Sequence, residues 1–308
     1  MSTPVDSLLI GELAGLLGSA LFGLSNIVYK SSSNEIRPLM INALKTWITL
    51  PVMVVIVLLP WRATAFAIPP AAIVPLILSI IIGAVVGDLL YLISQSRIGV
   101  SRAFPIAMSY PLFTYFFAFF LLAEPVGPVR LLGVVLTVAG VSIITRQETP
   151  PRTANSNASQ AVQARRFDVV GVVLALAAAI SWAIGAIILQ LGLVGVEPAD
   201  ANLVRIAAGS VTLLPIIAIA KARGMPTPTK KATKRTLVAG FFGMGIGSFL
   251  YVMAVKYTGA ALSSVLAATA PLFALPASLL ILKERITRTI VAGTIATVLG
   301  VWLVILGF

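Results

Sequence analysis

GDLLYLISQSRIG, running from Gly87 to Gly99, aligns without a gap on GSFLYVMAVKYTG, running from Gly247 to Gly259, at an offset of 160 residues. The same offset carries PLF at Pro111 onto PLF at Pro271, Glu124 onto Glu284, Gly133 onto Gly293 and Gly140 onto Gly300. In the other direction it carries Pro38 onto Pro198, Asn42 onto Asn202 and Lys45 onto Arg205. One register held over so much of the chain marks an internal duplication.

The duplicated unit is far too apolar for water. Of 308 residues, 59% are hydrophobic and 10% charged, with a mean hydropathy of +1.04. Soluble domains average about 45–50% apolar and about 25% charged residues. A soluble globular domain is excluded, and the bilayer is the expected partner. Apolar runs read as helices near 8–29, 38–59, 72–95, 103–122, 129–145, 169–191, 201–220, 237–256, 261–282 and 289–307. Lipid leaves helices or closed barrels as the spanning forms, and the alternation of a barrel strand is missing. The predicted fold is therefore all-α and integral to the membrane, with ten transmembrane helices arranged as two five-helix repeats. An odd number of spans per unit forces the second repeat to enter the membrane inverted, the arrangement of a secondary transporter. Residues 1–148 form the first repeat, 149–167 a polar linker containing PPRTANSNASQ, and 168–308 the second repeat. The basic stretch KARGMPTPTKKATKR, from Lys221 to Arg235, reads as a loop between the seventh and eighth spans.

His and Cys are both absent. That removes His/Cys zinc sites, thiol nucleophiles, Ser-His-Asp triads, disulfides and histidine-ligated haem. The chain is not expected to be an enzyme or to hold a cofactor or metal. Its net charge of +12 is scattered between apolar runs and forms no patch suited to nucleic acid. Seventeen Lys and Arg residues fall on the side reached after the odd-numbered spans, against Arg62, Arg130 and Lys256 on the other. By the positive-inside rule the first side is cytoplasmic and both termini are periplasmic, in a cell inner membrane. Asp6 and Glu12 precede any basic residue, so the first helix lacks a secretory leader's positive start and is expected to stay. The sequence is compatible with a monomer.

These residues resemble the ten-span drug/metabolite transporter superfamily, specifically EamA-type permeases. The likeness is carried by Phe22-Gly23 and Trp182-Ala183 in the first helix of each unit, Pro38 and Pro198, Tyr91 and Tyr251, the paired PLF motifs, Glu124 and Glu284, and the glycines of the fifth helices. It implies a central cavity between the repeats and the movement of small metabolites such as amino acids, or drugs, with export the main direction. A membrane receptor or scaffold of the same fold is the alternative.

Ionisable residues at bilayer depth cost about 2.5–3.5 kcal/mol each on insertion scales, which makes them candidates for function. Lys45 and Asp88 lie at matching depth, roughly 10–12 Å from the cytoplasmic end at 1.5 Å per residue, either as a structural ion pair or as a coupling or gating pair. Arg205 is the repeat mate of Lys45, but Ser248 stands where Asp88 would be. It either snorkels to Glu197 or Asp200 or holds an anionic substrate group. Tyr91, Tyr110, Trp182 and Tyr251 can supply an aromatic wall, and Asn26 lies on a polar stripe with Ser19 and Tyr29. Pro111 and Pro271 are hinge candidates within the fourth and ninth spans. Glu124 and Glu284 are expected to pair with Arg130 or Arg285 at the interface.

Overall fold

A computed structural model describes residues 4–32, 35–59, 65–98, 100–124, 127–146, 168–274 and 288–307. The linker motif PPRTANSNASQ and the residues Glu284 and Arg285 lie outside them. All regular elements among the described residues are helical. In the first repeat α1 is Pro4–Ser32, α2 Pro38–Leu58, α3 Pro70–Ile80, α4 Asp88–Ile98, α5 Val100–Ala107, α6 Tyr110–Leu122 and α7 Pro128–Arg146. In the second, α8 is Val169–Gly192, α9 Pro198–Ala222, α10 Lys230–Gly240, α11 Ser248–Ala268 and α12 Arg288–Leu306. Proline occupies the first turn of α2 and of α9, where its missing N–H would have had no partner and its fixed φ suits the helix.

Among the described residues, six helical stretches are long and apolar enough to cross a bilayer: Asp6–Tyr29, Pro38–Leu58, Pro70–Ile98, Val169–Gly192, Pro198–Ala222 and Lys230–Ala274. Shorter apolar helices cover Tyr110–Leu122, Pro128–Ile143 and Val291–Leu306. The last long stretch holds 45 residues and folds back on itself at Gly259, whose φ of 79° is open to glycine at no steric cost. A Cβ on Gly15 would lie 3.4 Å from Ala254 and 3.1 Å from Leu266, residues too far apart along a straight helix to meet one neighbour.

The basic stretch expected as a loop from Lys221 to Arg235 is mostly helix. α9 continues to Ala222, and Thr229 caps α10 by accepting from the Ala232 N–H at 3.2 Å. Only Arg223 to Thr229, with Pro226 and Pro228, connects the two.

The duplication recurs in fine detail. Ile81–Gly87 between α3 and α4, and Phe241–Gly247 between α10 and α11, are both wide π-helical turns at the 160-residue offset. The fourth span is broken rather than continuous. Ser109 separates α5 from α6 with φ −75° and ψ −3°, and Thr269 breaks the second unit with φ −76° and ψ −3°. Each hydroxyl donates back to the carbonyl three residues earlier, Ile106 and Leu266, at 2.6 Å. Pro111 and Pro271 follow two residues after these breaks, at the start of the next helical segment.

The repeats exchange partners. α1 packs along α11 of the other repeat, and α8 packs along α3 and α4 of the first. A Cβ on Gly11 would meet Thr258, and one on the equivalent Gly171 would meet Ile98, the residue equivalent to Thr258. The fifth helices, α7 and α12, pack on each other through Gly133, Gly140 and Gly300, where the backbones approach closely. Large apolar side chains point outward along the same helices, for example Leu9, Leu13 and Leu17 on α1 and Ile295, Leu299 and Trp302 on α12. Polar side chains such as Ser19, Asn42, Thr46 and Asn202 are buried instead. This inside-out distribution is what a lipid solvent requires.

Candidate functional site

A cavity of about 210 Å³ lies where the two repeats meet. Its lining includes Asn26, Lys45, Asp88, Tyr91, Tyr110, Trp182, Arg205 and Tyr251, all of them singled out in the sequence, while Pro111 and Pro271 adjoin lining residues without lining it themselves. Phe22, Tyr29, Ser79, Phe104, Met108, Met244 and Ser248 also contribute.

On one wall Lys45 and Asp88 form an ion pair between α2 and the first turn of α4, with side-chain exposures of 11% and 19%. Lys45 Nζ donates to Asp88 Oδ2, and Trp182 Nε1 donates to Asp88 Oδ1 at 2.7 Å. A carboxylate from the first repeat is thus held by a cation of its own repeat and an indole of the other. A Cβ on Gly87 would come within 2.7 Å of the Trp182 ring, so glycine is what lets the indole lie over the turn before Asp88. Trp182 also packs on Tyr91, with ring centroids 5.4 Å apart, and on Tyr110 at 5.8 Å; Tyr91 packs in turn on Phe104 at 6.1 Å. Tyr110 donates its hydroxyl to the Ser264 carbonyl at 2.8 Å and offers the cavity an aromatic face.

On another wall stands Arg205, 6% exposed. Its Nε donates to Ser79 Oγ at 2.9 Å and one terminal nitrogen to Asn202 Oδ1 at 3.1 Å. It does not reach outward to Glu197 or Asp200, and no carboxylate pairs with it among the described residues. Asn202 Nδ2 donates to Ser248 Oγ at 2.9 Å, so neutral groups orient the guanidinium from both repeats. Its mate Asn42 works differently, donating to the Ala84 and Val85 carbonyls of the wide turn, each at 3.2 Å. These are carbonyls in a region where the regular ladder is disturbed.

At the end of the bundle remote from the basic loops, Gln190 donates to Glu124 Oε1 at 2.8 Å and accepts from the Ala260 N–H. Glu124 was expected to pair with Arg130. The contact with Gln190, and the proximity of both to Gly259, was hidden because it depends on the fold-back at that glycine. Nearby, Lys256 Nζ donates to the Leu193 carbonyl at 2.7 Å.

An apolar multi-helix bundle of two interlocked repeats, enclosing at their seam a largely apolar cavity with a few charged residues in its wall, defines a multi-pass membrane protein. A family model for the EamA-like transporter family matches residues 9–146 and again residues 169–306. The chain belongs to the EamA-like transporter family. It is 25% identical over 191 residues to a Clostridium kluyveri protein named "Uncharacterized transporter", a match spanning 61% of this chain and 58% of that relative. A crystal structure 19% identical in sequence superposes with a TM-score of 0.73, over 98% of this chain and 99% of its own, a likeness of fold.

Proposed function

We propose that the protein is a secondary transporter, working as an exporter, that moves small anionic metabolites across the cell inner membrane by alternating access at the central cavity. The observation that carries this reading is Arg205: a buried guanidinium in the cavity wall, oriented by Ser79 and Asn202 and without a carboxylate partner among the described residues. A desolvated cation costs free energy unless an anion meets it, and an unpaired charge at bilayer depth supports a substrate site. Trp182, Tyr91, Tyr110 and Tyr251 supply apolar area for the rest of the substrate, with Asn26 at the rim. Lys45 and Asp88 act as the gating pair, because their bond to Trp182 joins the two repeats that must rock against each other. The breaks at Ser109 and Thr269, each followed by Pro111 or Pro271, supply the hinges. Residues 1–148 and 168–308 form the two moving repeats, joined by a cytoplasmic linker at 149–167, with both termini periplasmic. One copy of the chain contains the whole cavity and suffices.

Counterflow into liposomes tests the reading. A radiolabelled carboxylate taken up by wild-type protein should bind with lower apparent affinity to Arg205→Lys, since an ammonium keeps the charge but loses the fork that grips a carboxylate through two hydrogen bonds. A loss of about tenfold is expected, about 1.4 kcal/mol. Unchanged affinity in Arg205→Ala would reject the assignment.

A further inference from the structure

Among the described residues, the charged ones in the cavity wall are Lys45, Asp88 and Arg205. Lys45 and Asp88 cancel, and both oxygens of Asp88 are already engaged, one by Lys45 and one by Trp182. Arg205 is left with neutral partners only. The wall therefore carries one uncompensated positive charge in a poorly solvated space, where Coulomb terms are strong. A net monoanion neutralises that charge. A zwitterion brings an ammonium as well, which would need an uncompensated carboxylate, and among the described residues the carboxylate in the wall, Asp88, is already neutralised by Lys45. Glu124 is held by Gln190 and is not part of the wall.

Tyr29 supplies an independent observation. It lines the cavity from α1, is 8% exposed, and its hydroxyl has no hydrogen-bond partner among the described residues. A buried hydroxyl without a partner is costly, and a neutral donor or acceptor on a bound ligand would satisfy it. The ring wall of Tyr91, Trp182 and Phe104 lines the same cavity and accepts an apolar or aromatic body.

We infer that the cavity takes a monocarboxylate with an apolar body and an additional uncharged polar group, and that it discriminates against the zwitterion of the corresponding amino acid. Arg205 holds the carboxylate, the aromatic wall the body, and Tyr29 the neutral polar group. The inference rests on the proposed role of Arg205 as an anion site and adds the net charge of the substrate and its neutral polar group.

The test uses four probes on the full-length protein in lipid nanodiscs, with binding measured by calorimetry. 3-Phenylpropanoate differs from L-phenylalanine by lacking the ammonium, 2-phenylethylamine lacks the carboxylate instead, and 3-(4-hydroxyphenyl)propanoate adds a neutral hydroxyl. 3-Phenylpropanoate should bind about tenfold or more tightly than L-phenylalanine, a difference of about 1.4 kcal/mol or more, and 2-phenylethylamine should not compete. The hydroxylated acid should bind more tightly than its parent, and Tyr29→Phe should erase that preference. Equal binding of 3-phenylpropanoate and L-phenylalanine, with both lost in Arg205→Gln, would overturn the inference while leaving the anion site standing. Acid binding that survives Arg205→Gln would overturn both. Failure of either acid to bind, or a hydroxyl preference that persists in Tyr29→Phe, would also overturn the inference. The wild-type comparison of acid, amino acid and amine needs no variant to fold.

Discussion

Asp88 shows most clearly what single side chains contribute. Its carboxylate accepts from Lys45 in its own repeat and from Trp182 in the other, so both oxygens are engaged in a largely desolvated place. Lys45→Met or Asp88→Leu alone leaves the partner charge unpaired and should destabilise by about 3–5 kcal/mol, with the double variant recovering much of the loss. A double-mutant cycle on thermal or denaturant unfolding in detergent measures this, and additive losses would deny direct coupling. Trp182→Phe keeps the ring packing and removes one hydrogen bond to a charged group, so a loss of about 1.5–3 kcal/mol is expected by the same measurement. The sequence made the Lys45–Asp88 contact legible because equal depth on adjacent spans brings two opposite charges within reach. It could not show the indole, because Trp182 lies 94 positions away and meets Asp88 only where α8 crosses the wide turn before α4.

Among the helices, the seam between α7 and α12 depends on the absence of side chains. A Cβ on Gly300 would come within 2.5 Å of the Thr137 backbone nitrogen, and one on Gly133 within 2.7 Å of the Gly300 carbonyl oxygen. Backbone cannot swing aside as a side chain tip can. Gly300→Ala should therefore part the two helices and cost about 1–3 kcal/mol, read as a lower unfolding midpoint. The start of α8 depends on charge instead. Asp168 accepts from the Gly171 N–H at 3.0 Å and from Arg97 Nε at 2.9 Å, and these, the backbone donor first, hold its carboxyl below the ordinary carboxylate value. A depressed value contributes stability that is complete above the ordinary range and fades as pH falls through it. The unfolding midpoint of Asp168→Asn should accordingly lie below wild type at neutral pH, with the gap closing as the pH falls below the ordinary carboxylate range. The glycines of the fifth helices, Gly133 with Gly140 and Gly293 with Gly300, stand seven residues apart in the sequence, on one helix face. The two π-helical turns and the breaks at Ser109 and Thr269 did not announce themselves, since a change in hydrogen-bond register leaves composition and hydropathy untouched.

For the molecule as a whole, topology follows from charge. Seventeen basic residues against three should fix the linker in the cytoplasm and both ends in the periplasm. Alkaline phosphatase fused after Phe308 should be active and a GFP fusion dark; bright GFP would reverse the orientation. Composition and the 160-residue register determined a duplicated, all-helical membrane protein, because burial in lipid and pseudo-symmetry are both written along the chain. Which residues share the cavity was only half written. Unpaired charges and aromatics at bilayer depth flagged Lys45, Asp88, Arg205 and Trp182, since lipid makes such groups expensive anywhere else. The burial of Tyr29 in the cavity wall, the neutral partners of Arg205 and the Gln190 link to Glu124 were decided by the tertiary structure alone. Each depends on how helices from opposite repeats cross, and crossing places together residues that no spacing along one helix relates.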